Sequence, residues 1–189
     1  MPVKPVAAQW HTHVNHVQAP AWLRHWLADS GSLTAKLMAH SKTFRVQRIS
    51  QQRNTCWADE FDAIGLAKAS KAHTREVLLR CDEVATVYAH TILPLSSTAS
   101  QWPLFRTLGN KSLGSTLFGD PQVVRGALQF ARLAPNHPAM RRAQALTGCI
   151  TNHALFARRS LFYRRGGIML VTELFLPSVV HLTESRIAR

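Results

Sequence analysis

The chain has 189 residues, enough for one domain with a full core, and its 46% apolar and 17% charged residues exclude a disordered or fibrous chain. Three cysteines, Cys56, Cys81 and Cys149, are odd in number and form no CxxC pair; this excludes a disulfide framework and a zinc ribbon and suits a reducing cytosol. The formal net charge of +13, from 23 Lys and Arg against 10 Asp and Glu, points to an anionic partner: nucleic acid, a membrane surface or a small anion.

Residues 1–19 mix Pro and Gln with His11, His13 and His16 and read as a flexible N-terminal arm ahead of one domain over residues 20–189. With no Cys or carboxylate beside them, these histidines are not read as a metal site, and none is expected. The first residues lack the apolar run of a signal peptide. The longest apolar run, Ile168 to Val180, is broken by Glu173 and Pro177 and falls short of the ~20 residues that span a bilayer. A cytoplasmic protein is expected.

A helix is expected over residues 20–27, with Trp22, Leu23, Trp26 and Leu27 on one face and Pro20 where a first turn tolerates it. Ser30-Gly31-Ser32 ends it and caps a second helix, Leu33 to His40. Thr43 to Ser50 alternates as a strand, with Phe44, Val46 and Arg48 on one face. A β-hairpin follows: Arg75 to Cys81, the turn Asp82-Glu83, then Ala85 to Leu95. Leu108 to Gly114 is a glycine-punctuated loop. Residues 134–155 give little beyond a short helix over Met140 to Ala145. The last strand is Gly167 to Pro177, after the turn Arg165-Gly166-Gly167. Helices first and strands later argue an α+β fold with an antiparallel sheet.

Charge is unevenly placed. No acidic residue lies between Asp120 and Glu173, a stretch holding Arg125, Arg132, Arg141, Arg142, Arg158, Arg159, Arg164 and Arg165. Arginine suits bidentate capture of carboxylate or phosphate, although such residues also form ordinary solvated faces. No aromatic RNA-binding pair, helix-turn-helix or GXXG loop accompanies them.

Two charges fall on apolar strand faces. Glu173 shares a face with Met169, Val171 and Phe175, where a carboxylate is costly unless paired or hydrogen-bonded. Pairing with an arginine is one reading and a site carboxylate the other. Arg75 shares a face with Val77, Leu79 and Cys81, either snorkelling to solvent from a strand end or clamping an anion. Together they suggest an apolar pocket with a cation at one pole and a carboxylate at the other, fit for a small ligand carrying a carboxylate and a hydroxyl.

The run Leu170-Val171-Thr172-Glu173-Leu174-Phe175-Leu176-Pro177 resembles the C-terminal signature of the chorismate pyruvate-lyase family. Arg75-Glu76-Val77-Leu78-Leu79, Ile92-Leu93-Pro94-Leu95-Ser96, Leu108-Gly109, Leu113 to Phe118 and Arg158-Arg159-Ser160 resemble further family elements in family order, over roughly residues 20–180. The resemblance implies elimination of pyruvate from chorismate to give 4-hydroxybenzoate, the first step of ubiquinone biosynthesis, without metal or organic cofactor. It implies a single α+β domain whose antiparallel sheet carries a buried ligand site closed by helical flaps. Residue by residue, it places Arg75 on the ring carboxylate, Glu173 at the 4-hydroxyl, and Leu33 and Leu113 in the flap and glycine loop that contact the ligand. His90 departs from the pattern, standing where an arginine is expected. The expected partners are chorismate and 4-hydroxybenzoate, with no nucleic acid; the chain is expected to be a monomer, its basic surface leaving room for weak attachment to an anionic membrane.

Two other readings compete. Effector domains of one class of bacterial transcription regulators resemble this fold, so a non-catalytic sensor of a small carboxylate is the alternative; it calls for a winged helix ahead of the domain, for which the first 30 residues are too few. A nucleic-acid module driven by charge predicts steeply salt-dependent binding.

Overall fold

The computed structural model describes residues 6–184. In chain order the elements are α1 (Ala21–Leu27), α2 (Leu33–Ala39), β1 (Phe44–Thr55), β2 (Lys71–Cys81), β3 (Val84–Pro94), α3 (Leu113–Gly119), β4 (Val124–Arg125), β5 (Gln129–Leu133), α4 (Pro138–Thr147), β6 (Leu155–Arg164), β7 (Gly167–Phe175) and α5 (Val179–Glu184). The strands make one seven-stranded antiparallel sheet in the order β1-β2-β3-β7-β6-β4, and β5 pairs with the first half of β6. This is the expected single α+β domain.

The hairpin of β2 and β3 turns on Asp82 and Glu83, both at positive φ (49° and 64°), as a two-residue turn matched to strand twist requires. Asp82 tolerates that conformation because its Oδ1 accepts from the amides of Lys42 and Thr43 at 2.8 Å each. β1 extends to Thr55, beyond the expected Ser50, with a register shift between Arg48 and Ser50. The polar run Gln51-Gln52-Arg53-Asn54-Thr55 gives no apolar alternation to read, and pairing with β2 carries it.

Strand alternation sorts the side chains of the sheet onto two faces. Val77, Leu79, Ala89 and Phe175 face one side, where Leu23, Trp26 and Leu27 of α1, Leu33 and Leu37 of α2, and Val179 and Leu182 of α5 cover them. Leu78, Tyr88, Ala157 and Leu174 face the other, under Ala139, Met140 and Ala143 of α4. The segment read as a loose arm is packed into this body. Val17 and Ala19 are buried, the His11 amide and carbonyl exchange hydrogen bonds with Phe130, and Trp10 Nε1 donates to Asp59 Oδ2 at 2.7 Å. Trp10 and Val17 each have an apolar core to enter, which composition alone did not reveal.

The stretch at 134–155 also gains a role. His137 caps α4 by accepting from the Ala139 amide, Pro138 fills its first turn, and Gly148 at φ 68° ends it. Arg142 on α4 reaches Glu76 of β2, with Nη2 to Oε2 at 2.8 Å and Nε to both oxygens at 3.1 and 3.2 Å. Ser50 and Tyr88 also donate to Glu76, at 2.9 and 3.0 Å. Burial pushes the Glu76 carboxyl up, but these donors outweigh it and hold it below the usual carboxylate range.

A carboxyl held low in the folded state adds stability that is present above its unfolded pKa and lost as pH falls through its folded one. Glu76→Gln is therefore expected to cost about 1–3 kcal/mol at pH 7 in urea unfolding. The gap to wild type should close as pH drops below about 4. An equal gap at pH 7 and pH 3 would contradict the assignment.

Candidate active site

A cavity opens between the sheet and the helices α2 and α3, enclosing about 560 Å³ of empty space including its mouth. Its lining brings together Arg75, Glu173, Leu33 and Leu113, all four residues singled out in the sequence. Strand register explains how. Arg75 on β2 pairs with Thr91 on β3, Thr91 with Val171 on β7, and Val171 with Ser160 on β6. The adjacent row on the same face runs Val77, Ala89, Glu173, Arg158. Arg75 and Glu173 thus stand on strands with one strand between them, about 10 Å apart across the strands at ~4.8 Å per strand, and offset by two residues along them.

Arg75 does not snorkel: it is 1% exposed. Its Nη2 donates to the carbonyls of Gly109 at 3.1 Å and Lys111 at 3.0 Å, and its buried Nε has no partner among the described residues. Gly109 presents its carbonyl from φ 53°, a conformation that favours glycine. Burial, and then the neighbouring Arg48, lower the Arg75 pKa to about 10, which leaves it cationic at neutral pH. No carboxylate neutralises it among the described residues.

Glu173 satisfies both readings at once, being paired and lining the cavity. Arg158, directly across on β6, donates Nε to Glu173 Oε2 at 2.6 Å. The same guanidinium donates Nη1 to the carbonyls of Trp26, Leu27 and Asp29 at 3.1, 3.3 and 2.7 Å. Those carbonyls close the C-terminal end of α1, where helical partners run out and a cation is favoured. Arg158 therefore fixes the carboxylate and the start of the α1–α2 connection together.

The two flaps meet over the cavity. Ser32 caps α2 by accepting from the Ala35 amide, and Ser112 caps α3 by accepting from the Ser115 amide. Leu33 and Leu113 are thus first-turn residues, whose amides no helical carbonyl serves. Thr34 Oγ1 and Ser112 Oγ lie 2.6 Å apart and join the flaps. Gly114 permits this approach: a Cβ there would lie 2.8 Å from Thr34 Oγ1.

Sequence reasoning missed Arg125 and the part played by Arg158. Both stood in the acid-free arginine run, but β4 and β6 were not read as strands, so neither could be assigned a face. His90, where the resemblance implies an arginine, turns to the opposite side of the sheet. There its Nδ1 lies 2.6 Å from Glu60 Oε1 and its ring stacks on Trp57. Among the described residues no group of three or more His, Cys, Asp or Glu could hold a metal ion.

The chorismate lyase family model matches residues 5–185. A probable chorismate pyruvate-lyase of Cupriavidus metallidurans is 44% identical over 180 residues, 94% of this chain and 84% of its own. Another, of Nitrosomonas europaea, is 39% identical over 183 residues, 96% of this chain and 100% of its own. Among solved structures, the effector domain of PhnF from Mycobacterium smegmatis aligns with a TM-score of 0.54 at 18% identity, over 78% of this chain and 90% of that one. A likeness at that identity is one of fold.

Gly114→Ala should break the bond between the flaps while sparing the sheet. Hydrogen exchange in the first turns of α2 and α3 is expected to rise roughly fivefold, as for loss of one hydrogen bond, with global stability little changed. Unchanged exchange there would show that the flaps do not depend on the Thr34–Ser112 contact.

Proposed function

The chain belongs to the chorismate lyase family, and from that premise we propose that it eliminates pyruvate from chorismate to leave 4-hydroxybenzoate, with Arg75 and Glu173 at the two poles of the site. The observation that carries the site assignment is the single cavity holding an unneutralised buried guanidinium at one end and an oriented carboxylate at the other.

The reaction needs little from the protein beyond placement. Breaking the bond from ring C3 to the ether oxygen and removing the C4 hydrogen makes the ring aromatic. The departing enolpyruvate gains a proton at its methylene carbon and becomes pyruvate, so the atoms balance without a co-reactant. Arg75 holds the ring carboxylate, its unserved Nε supplying one donor. Glu173 accepts from the C4 hydroxyl and aligns it, while Arg158 holds the carboxylate in place. The first-turn amides of Leu33 and Leu113 supply further donors, and their side chains the apolar walls. Holding the ether in its reactive conformer and stabilising developing charge account for catalysis. This deepens to the first step of ubiquinone biosynthesis and agrees with a reaction that uses no cofactor.

The net charge of +13 favours encounter with a dianion and also suits weak attachment to an anionic membrane surface. Among the described residues no helix is long and apolar enough to cross a membrane. Three unpaired cysteines fit the cytoplasm. Large exposed apolar side chains such as Met38, Leu104 and Ile150 lie on separate elements, which fits a monomer.

Purified protein incubated with chorismate, with and without EDTA, is expected to release equimolar 4-hydroxybenzoate and pyruvate in both. Chorismate persisting beyond its spontaneous decay would overturn the enzyme and leave 4-hydroxybenzoate binding to test the sensor. Glu173→Gln should lower kcat by roughly 100-fold or more. Arg75→Ala should act mainly on binding, raising KM by about 30-fold or more. Near-normal kinetics in both variants would remove the site assignment.

A further inference from the structure

The cavity holds more positive charge than a monocarboxylate needs. Its charged lining is three guanidiniums, Arg75, Arg125 and Arg158, against the one carboxylate of Glu173. Arg158 is neutralised by Glu173. Arg75 and Arg125 are not, having no carboxylate within ion-pair distance among the described residues. Two unneutralised cations in one partly desolvated cavity are unfavourable in the empty protein and favourable when a dianion fills it.

Their positions match the two charges of one molecule. Arg125 lies on β4, which pairs with β6, whereas Arg75 lies on β2, at the other side of Glu173 in the strand order. Its Nε donates to Ser160 Oγ at 2.8 Å and its Nη1 to the carbonyls of Ser30 and Gly31 at 3.0 and 3.3 Å. The Phe118 and Phe162 rings flank the guanidinium, with centroids 5.6 and 5.5 Å from its carbon. The third nitrogen, Nη2, has no partner among the described residues. Burial and then the Arg158 cation push the Arg125 pKa down, while the Glu173 and Asp29 carboxylates pull it up. In chorismate the enolpyruvyl ether stands on C3, beside the C4 hydroxyl and away from the C1 carboxylate. With C1 at Arg75 and C4 at Glu173, the C3 ether leaves from the Glu173 end of the ring, the end nearer β4 in the strand order.

Resting on the lyase reading above, we propose that Arg125 forms a second carboxylate subsite, which takes the enolpyruvyl carboxylate and adds to the hold on the diacid substrate a contact that the monocarboxylate product does not make. Once the ether is cleaved this carboxylate belongs to pyruvate and no longer tethers the ring, so the ring product keeps only its contacts with Arg75 and Glu173. The carbonyls of Ser30 and Gly31, which Arg125 also holds, precede the flap helix α2, so the same side chain senses the substrate and the flap.

Arg125→Gln and Arg125→Lys are compared with wild type for chorismate turnover, for binding of chorismate and of 4-hydroxybenzoate by calorimetry in the cold, and for thermal midpoint. Arg125→Gln is expected to weaken chorismate roughly 30-fold or more in both KM and Kd, as for truncation of one partner of a buried charge pair. The Kd for 4-hydroxybenzoate should stay within about twofold, and Arg125→Lys, which keeps the charge, should recover much of the loss. Parallel weakening of both ligands with a lowered midpoint would make Arg125 only a strap for the flap and overturn the subsite. Unchanged chorismate binding in Arg125→Gln would overturn it too. Wild-type protein that binds chorismate without converting it would overturn the lyase reading alone, and the two binding constants would still decide the subsite.

Discussion

The cross-strand pair of Arg158 and Glu173 is the interaction on which the rest of the molecule depends. Neither charge is tolerable alone on an apolar sheet face, and register places them opposite each other on β6 and β7, where each neutralises the other. Arg158 uses its remaining donors on the last carbonyls of α1, so the helical layer is tied to the sheet at the point where the carboxylate is oriented. One side chain thereby sets the carboxylate geometry, ends a helix and anchors the connection that leads into a flap.

The two faces of the sheet differ in what their unpaired charges meet. On the back, Glu76 meets Arg142, His90 lies against Glu60, and Asp59 lies by His137 and accepts from Trp10. Arg159 there donates to Gln129 Oε1 and the Asp59 carbonyl and has no carboxylate within ion-pair distance among the described residues. Burial pushes the Asp59 carboxyl up, but His137 and Trp10 hold it low. On the cavity face Arg75 has only the neutral carbonyls of Gly109 and Lys111. What marks the cavity face is that its unpaired guanidiniums, Arg75 and Arg125, line a cavity, whereas Arg159 on the back lies over the Trp10 ring. This contrast separates a ligand site from the general basicity of the chain.

The architecture is shared with regulator effector domains such as that of PhnF, at 18% identity, so the sheet and its cavity do not by themselves specify chemistry. The proposed chemistry rests on the placement of Arg75, Glu173, Arg158 and Arg125 along three successive rows of one sheet face, beneath flaps joined through Thr34 and Ser112.

The α+β class, the hairpin at Asp82-Glu83, the final strand and the wrong-face positions of Arg75 and Glu173 were legible in the sequence because they depend on local signals: period-two alternation, turn residues and capping serines. The family-like runs added Leu33 and Leu113, which alternation alone could not select. The packing of residues 8–19, the length of α4, and strands β4, β5 and β6 were not legible, since the arginine-rich run from Arg158 to Arg165 hides its alternation and a two-residue strand has none. Which arginine neutralises Glu173, which stays unmatched and which way His90 turns depend on contacts between residues far apart in the chain. Local sequence fixes the face a side chain occupies; only the register of the folded sheet decides what stands opposite it.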